Sequence, residues 1–425
     1  MRSEPDPSWG EFLRVWLKIG ILSFGGPAAQ IALMHRIVVD ERRWMAEDKY
    51  LHALNFCMLL PGPEATQLAT YAGWTLKGIR GGLLAGLLFV LPGAAVVLAL
   101  AALYVAFGTV PFVAALFFGV KSAVLAIVFE ALLRVARRAL KGLGDWMIAV
   151  LAFIALFVFA LPFPLVILVA AAFGYARVTS SPTLGPPAAR YPIRATIVSA
   201  ATWLALWLVP VAALWGALGG DHVFTRLAVF FSKLAVLTFG GAYAVISYMA
   251  QEVVQAEGWL TAAEMVDGLG LAETTPGPLI LVIEFVGYIA GHRFAGGVPG
   301  GLIGAAISLW VTFVPCFLWI FVLAPYIDVI RGMPRLSGAL AAITSAVVGV
   351  ILNLSVWFGL HVLFRTVNHV RSPPVDVWLP ELATLDVAAL ALLALSCVLL
   401  LRFHWGVPGT LLAASLAGLG LSFLP

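Results

Sequence analysis

Two stretches of the chain repeat each other at a fixed displacement of 215 residues. Ser23-Phe24-Gly25-Gly26, Trp44 and Leu60-Pro61-Gly62-Pro63 return as Thr238-Phe239-Gly240-Gly241, Trp259 and Thr275-Pro276-Gly277-Pro278. Between these landmarks Ala29, Ile31, Met34, Val38, Val39 and Leu54 match Ala244, Ile246, Met249, Val253, Val254 and Leu269, and just upstream Lys18 matches Lys233. An ungapped match of this length divides the chain into two related halves. It also places four backbone breaks in stretches that are otherwise apolar. Proline has no N–H and clashes with the preceding turn, so a Pro-Gly-Pro run cannot continue a helix.

The chain is 62% hydrophobic and 11% charged. A soluble domain carries about 25% charged residues, so this chain cannot cover a water-facing surface. Apolar stretches near the ~20 residues that cross a bilayer recur throughout. The fold class read from this is an all-α polytopic integral membrane protein. The net charge of +4 implies no nucleic-acid partner, because the basic residues sit in loops that orient helices. The polar start, Met1 to Gly10, lacks the layout of a cleaved signal peptide. Cys57, Cys316 and Cys397 are isolated, which implies no disulfide, metal or cofactor.

Domain organisation follows the repeat. Residues 11–177 form a first repeat, 178–224 a Ser/Pro-rich linker (180–192) and one connecting transmembrane helix, and 225–425 a second repeat. Beyond an eight-residue insertion the match resumes, with Leu91-Pro92 against Val314-Pro315 at a displacement of 223. A hairpin turned at Pro162 and Pro164 is expected within 146–175, mirrored by spans at 385–401 and 407–423.

Orientation is read from Lys and Arg. The loop from Met34 to His52 carries four of them. Its counterpart from Met249 to Asp267 carries none and holds Glu252, Glu257, Glu264 and Asp267. Equivalent loops therefore face opposite sides, and the halves read as inverted-topology repeats. If each broken segment enters the membrane and returns, the four-charge loop, the Lys77/Arg80 turn and the Arg134, Arg137, Arg138, Lys141 cluster share the cytoplasm. Arg190, Arg194, Arg331 and Arg335 join them; Arg365 and Arg371 fit less well. This arrangement has about nine full spans plus four re-entrant segments, and the alternative, with every broken segment spanning, has about thirteen.

In hydrocarbon each freed backbone group must be satisfied by protein or water, so breaks are tolerated where they line a cavity. Corresponding breaks in two halves point to a transporter's substrate site. A half-helix starting after such a break presents free N–H groups and the positive end of a dipole, which suits an anion. The candidate substrate-binding residues are Lys18, Ser23, Gly25, Gly26, Gln30, Pro61, Gly62, Pro63 and Gln67 in the first half. In the second they are Lys233, Thr238, Gly240, Gly241, Tyr243, Thr274, Thr275, Pro276, Gly277 and Pro278. Glu64, Glu273 and Glu284 are the candidate proton-coupling carboxylates.

Plainer readings compete at each position. Gly and Pro also serve helix packing, and a lysine in an apolar stretch also snorkels to the interface. The carboxylates also suit structural ion pairs. Lys121 and Glu130, on one ordinary span, are read as internally ion-paired. No catalytic site is read: His35, His52, Glu47 and Asp48 lie in the orienting loop, and Gly119-Val120-Lys121-Ser122 lacks phosphate-loop spacing.

The runs Trp16-Leu17-Lys18-Ile19-Gly20-Ile21-Leu22-Ser23-Phe24-Gly25-Gly26-Pro27 and Leu59-Leu60-Pro61-Gly62-Pro63-Glu64-Ala65 resemble the chromate ion transporter family. So do Thr238 to Tyr243, Leu271 to Pro278 and Val311-Thr312-Phe313-Val314-Pro315. The similarity covers about residues 12–365 and corresponds to the long, two-domain type. It implies chromate efflux from the bacterial cytoplasm across the inner membrane, driven by the proton-motive force, with sulfate as a related oxyanion. The residues by themselves support a secondary transporter with an anion-friendly core, whose partners are an oxyanion, protons and the lipid bilayer. A passive anion channel or a sulfate uptake system remains the alternative, and a homodimer is left open.

Overall fold

A computed structural model describes residues 7–178, 193–239, 242–327 and 333–423. The expected linker, with Arg190, and Arg331, Gly240 and Gly241 lie outside the described residues. The chain is a multi-pass, all-α membrane protein. Five helices are long and apolar enough to cross a bilayer: Glu64–Phe107, Pro111–Ala139, Ile193–Leu218, Gly297–Tyr326 and Pro334–Leu363. Four shorter apolar helices, Leu143–Phe157, Phe163–Arg177, Val387–Arg402 and Val407–Leu421, supply the two expected hairpins. Of the connecting helix α8 (Ile193–Leu218) only Trp207 is buried, as suits a helix bathed in lipid.

Contacts divide the chain into two compact units, and each unit draws segments from both repeats. The first comprises Met1–Ala102, Ser180–Ala242 and Thr275–Pro334; the second Leu103–Thr179, Tyr243–Thr274 and Arg335–Pro425.

In the first unit the chain turns back on itself at the breaks of the first repeat. Helix α1 (Trp9–Leu22) stops at Ser23; α2 (Gly26–His35) and a π-helical segment (Arg36–Glu41) bring the chain back. The return is closed by Arg42 Nη1, 2.8 Å from Glu11 Oε1, and by Trp44 stacked on Phe12 at 6.2 Å between ring centroids. At 1.5 Å per residue α1 measures roughly 21 Å and the continuous return from Gly26 to Glu41 roughly 24 Å, both shorter than the ~30 Å hydrocarbon core. Helix α3 (Glu47–Cys57) and the first part of α4 (Glu64–Phe107) form the next hairpin. Helix α4 folds back on itself at Lys77 and Gly78, whose dihedrals are not helical. Its two arms touch through glycine: a Cβ on Gly73 would lie 2.4 Å from the Gly81 carbonyl oxygen. Lys77 Nζ sits 5.6 Å from the Trp9 ring centroid, so the second hairpin ends where the first began.

The second repeat supplies α9 (Val223–Leu237), α12 (Val282–Phe294) and α13 (Gly297–Leu323) to the same unit. Helices α12 and α13 meet as the arms of α4 do, with Gly287 against Gly304 and Gly291 against Gly300. The eight-residue insertion lengthens this hairpin at its tip, where Gly296 and Gly297 turn at φ 93 and 68.

The second unit holds α5 (Pro111–Ala139), α6 (Leu143–Phe157), α7 (Phe163–Arg177), α10 (Ala242–Gln251), α11 (Ala262–Thr274), α14 (Pro334–Leu363), α15 (Val387–Cys397) and α16 (Val407–Leu421). The repeats exchange partners here. Gly119 of α5 packs on α16, where a Cβ would stand 2.0 Å from the Ala414 carbonyl oxygen, and Gly349 of α14 packs on α6, 2.1 Å from that of Ala149. The long helix of each half thus rests on the terminal hairpin of the other. Among the described residues the only sheet is an antiparallel hairpin of β1 (Val367–Ser372) and β2 (Val375–Pro380), tied to the end of α6 by Asp376 N–H to the Val158 carbonyl at 2.8 Å. Arg371, which fits the charge rule poorly, lies on β1, and Arg365 lies just before it.

Candidate functional site

The four breaks meet in pairs inside the first unit, and each pair joins one repeat to the other. Gly62 donates its N–H to the Thr238 carbonyl at 2.9 Å, and Gly277 donates to the Ser23 carbonyl at 2.8 Å. Positions 23 and 238 are repeat equivalents, as are 62 and 277, so the two bonds are one bond made twice. Reciprocal contact of this kind is what a local two-fold relation produces.

Sequence explains the local geometry. Each glycine is flanked by prolines that offer no donor, so the glycine N–H is the one free donor of its Pro-Gly-Pro break. Gly62 and Gly277 stand at φ 118 and 91, Gly25 and Gly26 at 86 and 78, a region open to glycine and strained for other residues. The crossing helices press on the breaks. A Cβ on Gly93 would lie 2.1 Å from the Pro276 carbonyl oxygen, and one on Gly62 would lie 3.2 Å from Cys316 Sγ. Gly93 and Cys316 are themselves equivalents at the 223 displacement.

Two glutamines serve the freed carbonyls. Gln30 Nε2 donates to the Gly277 carbonyl at 2.6 Å, and Gln67 Nε2 donates to that of Pro61 at 2.6 Å. Because a carbonyl accepts only a donor, each amide orientation is fixed, and each Oε1 is left buried without a partner. Val245 and Val282 take the equivalent places in the second repeat, so the polar lining is one-sided.

The hydroxyls of Ser23 and Thr238 turn back to the Ile19 and Leu234 carbonyls, both at 2.6 Å. They seal the ends of α1 and α9 and offer outward only acceptor lone pairs. The donors at these helix starts are therefore backbone groups: the N-terminus of α2 carries no side-chain cap, and α4 starts directly after Pro63. Lys18 and Lys233 occupy the exposed faces of α1 and α9, away from the faces packed into the unit.

Ser23, Gln30, Pro61, Gly62, Gln67, Thr238, Thr275, Pro276, Gly277 and Pro278 are thus buried together in the first unit, with Gly25, Gly26, Pro63 and Glu64 half-buried. Glu284 is buried on α12, 1% exposed, with Oε2 unpartnered. Tyr243, Glu273 and Thr274 belong to the second unit. There Tyr243 donates its hydroxyl to Glu273 Oε1 at 2.6 Å, and Thr274 bonds its own helix at Leu271.

Internal ion pairing exists where Lys121 and Glu130 suggested it, with partners that were not foreseen. Glu130 bonds Arg134 Nη2 at 2.5 Å, and Arg134 lies within electrostatic reach of Tyr243 and Glu273. Lys121 Nζ lies 3.4 Å from Asp267 Oδ2, which also accepts from the Tyr104 hydroxyl at 2.9 Å. Arg134 and Asp267 had been read as loop charges. Asp267 is buried, whereas Arg134 stays half exposed, and the position of Asp267 near the start of an apolar stretch gives no sign that it faces inward.

A family model described as chromate transporter matches residues 10–175 and 225–419. The chromate transport protein of Pseudomonas aeruginosa is 34% identical over 355 residues, 82% of this chain and 80% of that one. The chromate transport protein of Cupriavidus metallidurans is 30% identical over 359 residues, 83% and 82% of the two chains. A probable chromate transport protein of Synechococcus elongatus is 28% identical over 395 residues, 91% and 95%. No solved structure is matched significantly.

Proposed function

Because the chain belongs to the chromate transporter family, we propose that it carries chromate outward across the bacterial inner membrane in exchange for protons, with sulfate as a competing oxyanion. The reciprocal pair of bonds, Gly62 to Thr238 and Gly277 to Ser23, carries this reading. It ties four stretches of unwound backbone into one buried core. Backbone of that kind persists at membrane depth where protein or a water-lined cavity satisfies it, and its half-helix ends suit an anion.

In the proposed cycle the oxyanion binds N–H groups at the starts of α2 and α4. Gly240 and Gly241 serve as the repeat equivalents of Gly25 and Gly26. Lys18 and Lys233, about five residues or ~7.5 Å before their breaks along each axis, supply the positive charge that the first contact needs. Protonation of Glu64, Glu273 or Glu284 accompanies release. Gln30 and Gln67 hold the breaks in shape and contribute acceptor oxygens, which confine the anion to the backbone donors.

Chromate uptake into everted membrane vesicles tests this, with and without an imposed proton gradient and with sulfate as competitor. Gradient-dependent accumulation inhibited by sulfate supports the exchanger. Equilibration without accumulation makes the protein a channel. Normal transport by both Lys18→Ala and Lys233→Ala removes the lysines from the site.

A further inference from the structure

Helix α11 carries two buried carboxylates, and each is dressed in the same way. Glu273 accepts from the Tyr243 hydroxyl and has Arg134 of α5 in electrostatic reach. Asp267 accepts from the Tyr104 hydroxyl and pairs with Lys121 of α5. Six residues separate the two, roughly 9 Å along the axis. We propose that Asp267, with Tyr104 and Lys121, is a second proton-carrying station of the transport cycle, on the same helix as Glu273; the proposal rests on the proton-coupled reading above.

The geometry at Asp267 is poorly suited to a purely structural ion pair. The residue is 3% exposed, and both of its partners converge on Oδ2, while Oδ1 is buried with no donor. A structural pair retained in a low-dielectric interior needs every lone pair served, since desolvation otherwise exceeds the attraction. Here one oxygen is left bare and the pair stands at 3.4 Å, longer than a charge-assisted bond of ~2.8 Å. A proton on the carboxylate removes the charge that Oδ1 cannot place. The lysine side chain is 27% exposed against 4% for that of Asp267, so of the two partners it is the lysine that reaches toward the surface. The register is held one turn away, where Gly270 packs against Val120 of α5. The groups facing Asp267 are Tyr104 and Lys121, with Glu264 one turn back on α11. The set occurs once: the repeat equivalents of Tyr104, Lys121 and Asp267 are Ile327, Thr344 and His52. On one stroke an O–H bond forms on Asp267 with a proton from water and the lysine contact breaks; on the return stroke the proton leaves to water and the ion pair closes.

The test uses the full chain in proteoliposomes and two readouts: chromate exchange at equal concentrations, and accumulation driven by a pH gradient. Asp267→Asn is expected to lose accumulation while still exchanging chromate. Asp267→Glu, which keeps an acid, is expected to retain both. The double variant Lys121→Gln/Asp267→Asn leaves no unpaired charge, so it folds even where the single variant does not. A structural pair predicts that it regains accumulation; a proton station predicts that it does not. Accumulation by D267N, or its recovery in the double variant, overturns the proposal. Exchange without gradient-driven accumulation in the unmodified protein instead overturns the proton-coupled reading itself, and the station with it.

Discussion

Gly62 and Gly277 each meet two demands that a methyl group violates. Their φ values lie in the left-handed region, and their surroundings are occupied. A Cβ on Gly62 would lie 2.9 Å from Gln67 Nε2 and 3.2 Å from Cys316 Sγ; one on Gly277 would lie 3.3 Å from the Gly93 Cα. Gly62→Ala and Gly277→Ala are each expected to destabilise the protein by about 1–3 kcal/mol from backbone strain alone, and to reduce chromate uptake in vesicles. Gly26 provides the comparison, because it shares the positive φ but has nothing within 4 Å of its would-be Cβ. Gly26→Ala should cost the strain without the collision, which thermal denaturation of the purified protein would show as a smaller shift. Gln30→Ala removes the donor that serves the Gly277 carbonyl. A buried acceptor left bare costs about 1–3 kcal/mol, so this variant should also lose stability. Gln30→Glu should be worse, since a carboxylate then faces a carbonyl oxygen.

Among the elements, glycine decides which helices touch. Gly119 and Gly349 each sit within contact distance of a backbone carbonyl that cannot yield. Gly119→Val and Gly349→Val should therefore each force a terminal hairpin off its helix and sharply lower the yield of monodisperse protein in detergent. Gly420→Val, with nothing within 4 Å, should not. The placement of broken and unbroken segments was legible in the sequence, because Pro-Gly-Pro and Gly-Gly act through the backbone wherever they fall. The facing of Lys18 and Lys233 was not. Periodicity separates an apolar face from a polar one in water, whereas helices in lipid are apolar on both sides, and one lysine carries no phase. Asp267 was missed for the converse reason: beside Glu264 it resembles loop charge, and only the packing of α11 on α5 turns it inward. The β-hairpin was not legible because Val367 to Pro380 mixes Asn, His, Arg, Ser, Asp and three prolines, with no alternation sharp enough to mark strands.

At the scale of the whole molecule, the repeat does not correspond to a pair of separately folded halves. Both compact units draw segments from both repeats, and the break seam consists of bonds that cross between them. A sequence repeat shows that two halves are related without showing whether each closes on itself or on its partner, because the pairing of Ser23 with Gly277 has no local signature. The consequence is testable by cutting the chain within the linker, between 180 and 192. The first half alone leaves the Gly62 N–H and the Ser23 carbonyl without partners and strips α5 of the α16 hairpin. The second half alone loses the equivalent contacts of Gly277, Thr238 and α14. Each fragment expressed singly should therefore be degraded or aggregate, while the two expressed together should assemble, co-purify through a tag on one fragment, and restore chromate uptake in vesicles. Independent folding of either half, read as a stable monodisperse species, would show that the crossed bonds are a late docking of finished domains. Co-purification with recovered uptake would show that the two repeats build one core between them.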